Sequence, residues 1–246
     1  MAQNEPKDKS FLSIVNLSDA YEIKARFLPS VITLLFLLPA STAYGGPLNN
    51  LIGVLLGGVG GGAVMAVFMS HLASAAGNRL QRILWPQWPL DSPTNLWLNP
   101  ADSTVSSQQK ETWYAAIKRL TGLDIPGASQ GEVETVINDA VTDLRYQFIK
   151  SEHAQRLQVH NTDYGFARNF TGLKVVWITF SLLSCIGCWA IYFNNNGHLQ
   201  SCIISTAIMV FALLLARFLP VYVRQKADQY SKSFYRVLTE VDKASR

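Results

Sequence analysis

Charged and apolar positions along this chain fall into blocks. Residues 27–78 run fifty-two positions without a Lys, Arg, Asp or Glu, and residues 175–216 do the same over forty-two. A bilayer crossing takes about 20 apolar residues, so each block is too long for one crossing and fits two joined by a turn. The spans are expected at about 27–44, 51–73, 173–193 and 199–219. The predicted fold class is therefore an all-α membrane protein, with two transmembrane helical hairpins flanking a helical polar domain. Its expected parts are an N-terminal segment (1–26), hairpin 1 (27–78), a helical middle domain (79–172), hairpin 2 (173–219) and a basic tail (220–246).

Charge gives the orientation. The turns at 45–50 and 194–198 hold no Lys or Arg, whereas Lys24, Arg26, Arg79, Arg82, Arg168, Lys174, Arg217, Arg224 and Lys226 crowd the opposite span ends. The positive-inside bias then places both termini and the middle segment in the cytoplasm. Tyr44, Trp177, Trp189 and Tyr192 stand near span boundaries, where amphipathic rings favour the interface. The run from Lys24 to Ala43 loosely imitates a signal peptide. It starts late, follows an acidic n-region and leads straight into a second span, so cleavage is not expected.

The middle segment opens with Trp85-Pro86-Gln87-Trp88-Pro89, Ser92-Pro93 and Asn99-Pro100, which predict an irregular connection pinned by prolines and aromatic anchors. A helix is expected over 106–120, with Trp113, Ile117 and Leu120 on one face and Gly122 as its stop. Ser129-Gln130-Gly131-Glu132 reads as a capping box opening a longer helix. Val133, Ile137, Val141, Leu144, Phe148 and Ile149 give that helix an apolar stripe reaching to about residue 160, before Asn161–Gly165. So small a core needs oligomer or membrane contacts.

The formal charge of +4 would suit a nucleic-acid partner, but its distribution is uneven. Residues 79–172 hold nine basic and ten acidic side chains, whereas residues 217–246 hold seven against three. Topology and attraction to anionic membrane lipid account for the tail. A polyanion patch on the middle segment remains a second reading. Lys118, Arg119, Arg145, Lys150, Arg156 and Arg168 would supply cations, with Trp113 and Tyr114 as aromatic candidates. In a ring of identical subunits these groups would repeat around one axis.

No catalytic constellation stands out, so an enzyme is the least favoured class. His71, His153, His160 and His198 are scattered without metal-ligand spacing. Asp139, Asp143, Glu132 and Glu134 read as a solvated helix face, and no phosphate-binding Gly-Lys-Ser/Thr loop is present. Cys185-Ile186-Gly187-Cys188 has redox or metal spacing but, with Cys202, lies in the expected spans without further soft ligands; packing is the better reading. Neither metal nor cofactor is expected.

The second span is unusual. Gly58, Gly62, Ala66, Ser70 and Ser74 recur every four residues, a stripe that lets helix backbones approach closely in lipid. Helix packing alone accounts for it; the functional forms that fit are an intersubunit seam of a homo-oligomer, a tetramer, or the lining of a narrow pore. His71, one residue from the stripe, is the only ionisable side chain in the first block; it is either functional or reaches headgroups.

Three segments carry a resemblance. Tyr21-Glu22-Ile23-Lys24-Ala25-Arg26-Phe27-Leu28-Pro29 resembles the amphipathic approach to the first span in bacterial inner-membrane proteins of phage-defence loci. Asn161-Thr162-Asp163-Tyr164-Gly165-Phe166-Ala167-Arg168-Asn169-Phe170-Thr171-Gly172-Leu173 is similar to their lead into the second hairpin. Trp88-Pro89-Leu90-Asp91-Ser92-Pro93-Thr94-Asn95 resembles a further loop of theirs, with two glycines and one threonine replaced. The family is that of transmembrane effectors of Hailong-type two-gene systems. The resemblance implies an ion channel in the bacterial inner membrane, with a cytoplasmic crown holding short single-stranded DNA made by a partner nucleotidyltransferase. Loss of that DNA would open the pore, depolarise the membrane and arrest growth. The alternative is a non-catalytic membrane tether whose middle domain docks a soluble protein.

Overall fold

The computed structural model describes residues 21–40, 59–149, 151, 154–195 and 198–246. Among these residues all regular structure is helical. Three helices are long and apolar enough to cross a membrane: Glu22–Ala40, Lys174–Asn194 and Leu199–Ala244. The second expected span falls partly outside the described residues, as do Gly58 and both expected outer turns in whole or part. The chain forms two compact units: the described residues up to Asn78 with Arg168–Leu219, and Arg79–Ala167 with Pro220–Arg246.

The first unit opens with a π-helical segment, Glu22–Phe27, that runs into helix α1, Leu28–Leu35. It also holds helix α2 (Val59–Leu84) as far as Asn78, helix α6 (Ala154–Gly172) from Arg168, helix α7 (Lys174–Asn195), and helix α8 (Leu199–Ala244) as far as Leu219. Its polarity is inverted relative to a water-soluble bundle. Large apolar side chains face outward, among them Leu182, Leu183 and Ile186 of α7 and Ile203, Phe211 and Leu214 of α8. Hydroxyls are buried instead: Ser30, Thr33, Ser181, Ser184 and Ser205. Each donates to a backbone carbonyl, which satisfies it where water is absent. Trp177 is fully buried, its ring stacked on Phe36 at 5.4 Å and Phe170 at 5.7 Å, and its Nε1 donates to the Phe170 carbonyl at 3.1 Å. Trp177, three residues from the start of α7, therefore turns its ring into the unit. Two flat neighbours and a carbonyl already meet every need of its ring.

Helices α2 and α6 approach to backbone contact. A Cβ on Gly172 would lie 2.5 Å from the carbonyl carbon of Ala76, and one on Gly77 would lie 2.0 Å from Asn169 Oδ1. The buried face of α2 here runs through Met69, Ala73 and Gly77. That face is one residue out of step with the expected stripe, whose Ser70 and Ser74 are half-buried, while His71 is exposed. At Ser70 and Ser74 the stripe is thus not the buried face within one chain. Gly62 and Ala66 lie on the same helix.

The second unit is built on helix α4 (Ser107–Thr121), helix α5 (Val133–Ile149) and the second half of α8. Ser106 caps α4 by accepting the Gln109 N–H at 3.3 Å, and Gly122 ends it in the left-handed region at φ 78°. On α5 the period of Ile137, Val141, Leu144 and Phe148 faces Trp113, Ala116 and Ile117 of α4 and Phe234, Tyr235, Val237 and Leu238 of α8. Between Trp85 and Ser106 the chain turns repeatedly, with one short helix, α3, Pro93–Leu96. Side chains pin this stretch to α8: Thr94 Oγ1 bonds Ser231 Oγ at 2.8 Å, and the Tyr235 hydroxyl donates to the Thr94 carbonyl. Lys110, 4% exposed, donates its ammonium to the carbonyls of Asn99 and Asp102.

Three expectations change here. Residues 220–246 are no free tail: they continue α8, and Phe234, Val237 and Leu238 complete the core that α4 and α5 leave open. Ser129 does not cap a backbone N–H; its hydroxyl donates to Glu132 Oε2 at 2.7 Å, and α5 begins only at Val133. The chain does not break at Asn161–Gly165 either. Helix α5 ends at Ile149, and α6 runs through those residues, which bury Tyr164, Ala167 and Leu80 in a second small core with Trp85, Val223 and Ala227.

Candidate anion-binding site

An open depression of about 460 Å³ lies on the second unit between α8, the start of α4 and Trp97. Its floor is aromatic. Tyr235 lies against Trp113, ring centroids 3.8 Å apart and nearly parallel, and stacks on Trp97 at 5.9 Å. Burial pushes the Tyr235 hydroxyl well above its usual pKa, so it stays a neutral donor. The rim is cationic: Lys232, Arg236 and Lys243 recur along one face of α8, with Thr239, Gln109 and one carboxylate, Glu240. Among the described residues none of the three cations stands in an ion pair, and all are exposed. Their spacing follows from helix geometry, since positions four, seven and eleven apart share a face. Phe234, Val237, Leu238 and Val241 hold the opposite face in the core. The arrangement can hold an anionic group by charge-assisted hydrogen bonds from Lys and Arg.

Of the residues singled out in the sequence, only Trp113 lines this depression. It is 8% exposed, its ring face covered by Tyr235, so it serves as floor and not as a free stacking platform. Tyr114 is half-buried and donates to the Leu98 carbonyl at 2.7 Å; burial raises its pKa. Lys118 pairs with Asp124 at 2.5 Å. Arg119 binds both oxygens of Asp242, at 2.7 and 2.8 Å. Arg145 lies over the Tyr230 ring at 5.9 Å. Arg156 is exposed on α6, and Lys150 lies outside the described residues. Arg168 belongs to the first unit, where its Nε donates to Asn169 Oδ1 at 3.1 Å. Two members of the expected patch are thus paired with carboxylates. Lys232, Arg236 and Lys243 went unnoticed although their helical spacing was readable, because a basic tail has a sufficient reason in membrane topology.

Asp242 anchors the end of α8, gripped by Arg119 and by Arg246 at 2.7 Å. The Arg119 hydrogen bond leads the causes that hold its carboxyl down to about 2 from 3.8. A depressed carboxylate stabilises the fold fully above its ordinary value and loses that contribution as pH falls through its folded value. Thermal melting is therefore expected to drop between about pH 4 and pH 2 more steeply in the wild type than in Asp242→Asn. The solvent-facing Arg119 guanidinium is screened, which keeps the effect modest. Equal acid slopes in the two proteins would refute the assignment.

The fold and this site define a helical membrane protein with a second, polar helical unit. Comparison with known proteins finds no matching family model, no matching curated protein and no matching solved structure.

Proposed function

We propose that this protein is an oligomeric membrane effector, an ion channel of the bacterial inner membrane whose polar helical unit is gated by a polyanion. By the resemblance to Hailong-type effectors the polyanion is a short single-stranded DNA, and the role is growth arrest in defence against phage. The observation that carries the reading is the aromatic-floored depression, rimmed by three exposed cations of α8 that form no ion pair among the described residues. Burial of hydroxyls and outward display of apolar groups in the first unit support its seat in lipid. Both termini are then cytoplasmic, and the ligand reaches the second unit from inside the cell.

The test uses full-length protein and a labelled oligodeoxynucleotide. Three phosphate contacts on a single strand predict that log affinity falls with log salt at a slope of about −2. Lys232→Glu, Arg236→Glu and Lys243→Glu should each weaken binding and flatten the slope, by about 1 per contact at most. Lys118→Glu and Arg156→Glu should leave the slope unchanged. Ion flux from liposomes should respond to the oligonucleotide in the wild type and lose that response in the Arg236→Glu variant. No binding at low salt, together with no flux, would favour the tether that docks a soluble protein.

A further inference from the structure

Proline at position 29 has no N–H, so the carbonyl of Ala25, four residues earlier, loses its α-helical donor. The defect coincides with the π-helical segment Glu22–Phe27, where Leu28 donates to Ile23, five residues back. Ala25 is completely buried, and an unpartnered carbonyl there is costly. The missing donor comes from far along the chain: Asn169 Nδ2 of α6 donates to the Ala25 carbonyl at 2.6 Å. Asn169 is itself completely buried, and its Oδ1 accepts from Arg168 Nε, so both ends of the amide are used. Gly77 of α2 leaves the room the amide occupies, since a Cβ there would collide with Asn169 Oδ1.

We propose that Asn169 is a positioning residue, a polar latch that takes the place of the Pro29 N–H and holds the first membrane helix at a joint formed by the π-helical segment. Beyond the joint, among the described residues, the same helix meets α2 through Ser30 Oγ, which donates to the Met69 carbonyl at 2.8 Å, and meets α7 through Phe36 stacked on Trp177 and through Ser184 Oγ and Cys188 Sγ, which donate to the Phe36 and Pro39 carbonyls at 3.1 and 3.4 Å. Release of the latch lets the first helix swing while α7 and α8 stay paired, as Cys185 Sγ and Thr206 Oγ1 at 3.5 Å mark. Motion of this helix is a device that a channel or a tether could use, and it requires neither ligand nor conduction.

The native cysteines report it. All three are buried, Cys188 against the first helix and Cys185 against α8. In full-length protein in detergent, Asn169→Leu should raise the rate at which a lipophilic maleimide labels Cys188 by about tenfold, the scale set by losing one buried donor, with Cys185 unchanged. Pro29→Ala returns an N–H to the position four residues after Ala25. In the Pro29→Ala background the same Asn169→Leu change should alter Cys188 labelling less than about twofold, a non-additivity expected of groups that share one partner. If Asn169→Leu labels both cysteines alike, the packing has failed globally, and the smaller Asn169→Ser variant is read in its place with the same expectations. Wild-type labelling of Cys188 in Asn169→Leu or Asn169→Ser, or an equal increase with and without Pro29, overturns the latch.

Discussion

Trp113→Ala is expected to destabilise the polar unit by about 3–5 kcal/mol, the cost of emptying a buried Trp site. The indole is 8% exposed and lies 3.8 Å from the Tyr235 ring centroid, with Trp97 beyond at 5.9 Å. Removing the indole strips one face of Tyr235, a buried residue whose hydroxyl ties α8 to the Thr94 carbonyl. Loss therefore spreads from α4 to the turn-rich stretch and to α8. Heat denaturation of the detergent-solubilised protein should show the change as a drop of about 10 °C or more for a unit of this size. Oligonucleotide binding would fail with it, as a consequence of unfolding. If Trp113→Ala melts within about 2 °C of wild type yet loses binding, the indole is a stacking platform and its assignment to the core is wrong.

The same indole shows what the sequence could and could not convey. Exclusion of charge from lipid acts on every residue of a span, so the three helices long and apolar enough to cross a membrane were legible without any partner. The ends of α4 were legible for a similar reason, because Ser106 and Gly122 act on their own helix turn. Which surface a helix face meets is a long-range matter. Trp113, Ile117 and Leu120 announced a buried face without naming Phe234, Val237 and Leu238 as what buries it, more than a hundred residues away. Those three residues stand at helical spacing in the sequence too. Seven basic side chains over residues 217–246 point to a basic tail drawn to anionic lipid, whereas cations and apolar residues occupy opposite faces of α8. Gly165 suggested a break for the same reason: its intrinsic cost in a helix is about 1 kcal/mol, small beside the packing of Tyr164 and Ala167 in α6. The candidate anion site inherits this difficulty, since it forms only when α8 lies beside Trp97 and the start of α4.

Gly172→Leu is expected to prevent assembly of the membrane unit. A Cβ at that position would stand 2.5 Å from the Ala76 carbonyl carbon and 2.6 Å from the Gly77 nitrogen, both backbone atoms, so no side chain can turn aside to admit it. Even Gly172→Ala must push α2 and α6 apart, at a cost of about 1–3 kcal/mol. Close backbone approach is a main source of helix association in lipid, where no hydrophobic force drives helices together, so the separation is not recovered elsewhere. Gly131, with nothing within 4 Å of its own Cβ position, supplies the control: Gly131→Ala should melt like wild type. Gly77→Ala should do more than crowd the crossing, because its methyl would strike Asn169 Oδ1 and dislodge the amide from Ala25. It should therefore combine a lowered melting temperature with selective labelling of Cys188, whereas Gly172→Ala should lower melting first. A Gly172→Leu protein that elutes as a single species and melts with the wild type would show that α2 and α6 do not meet at these glycines.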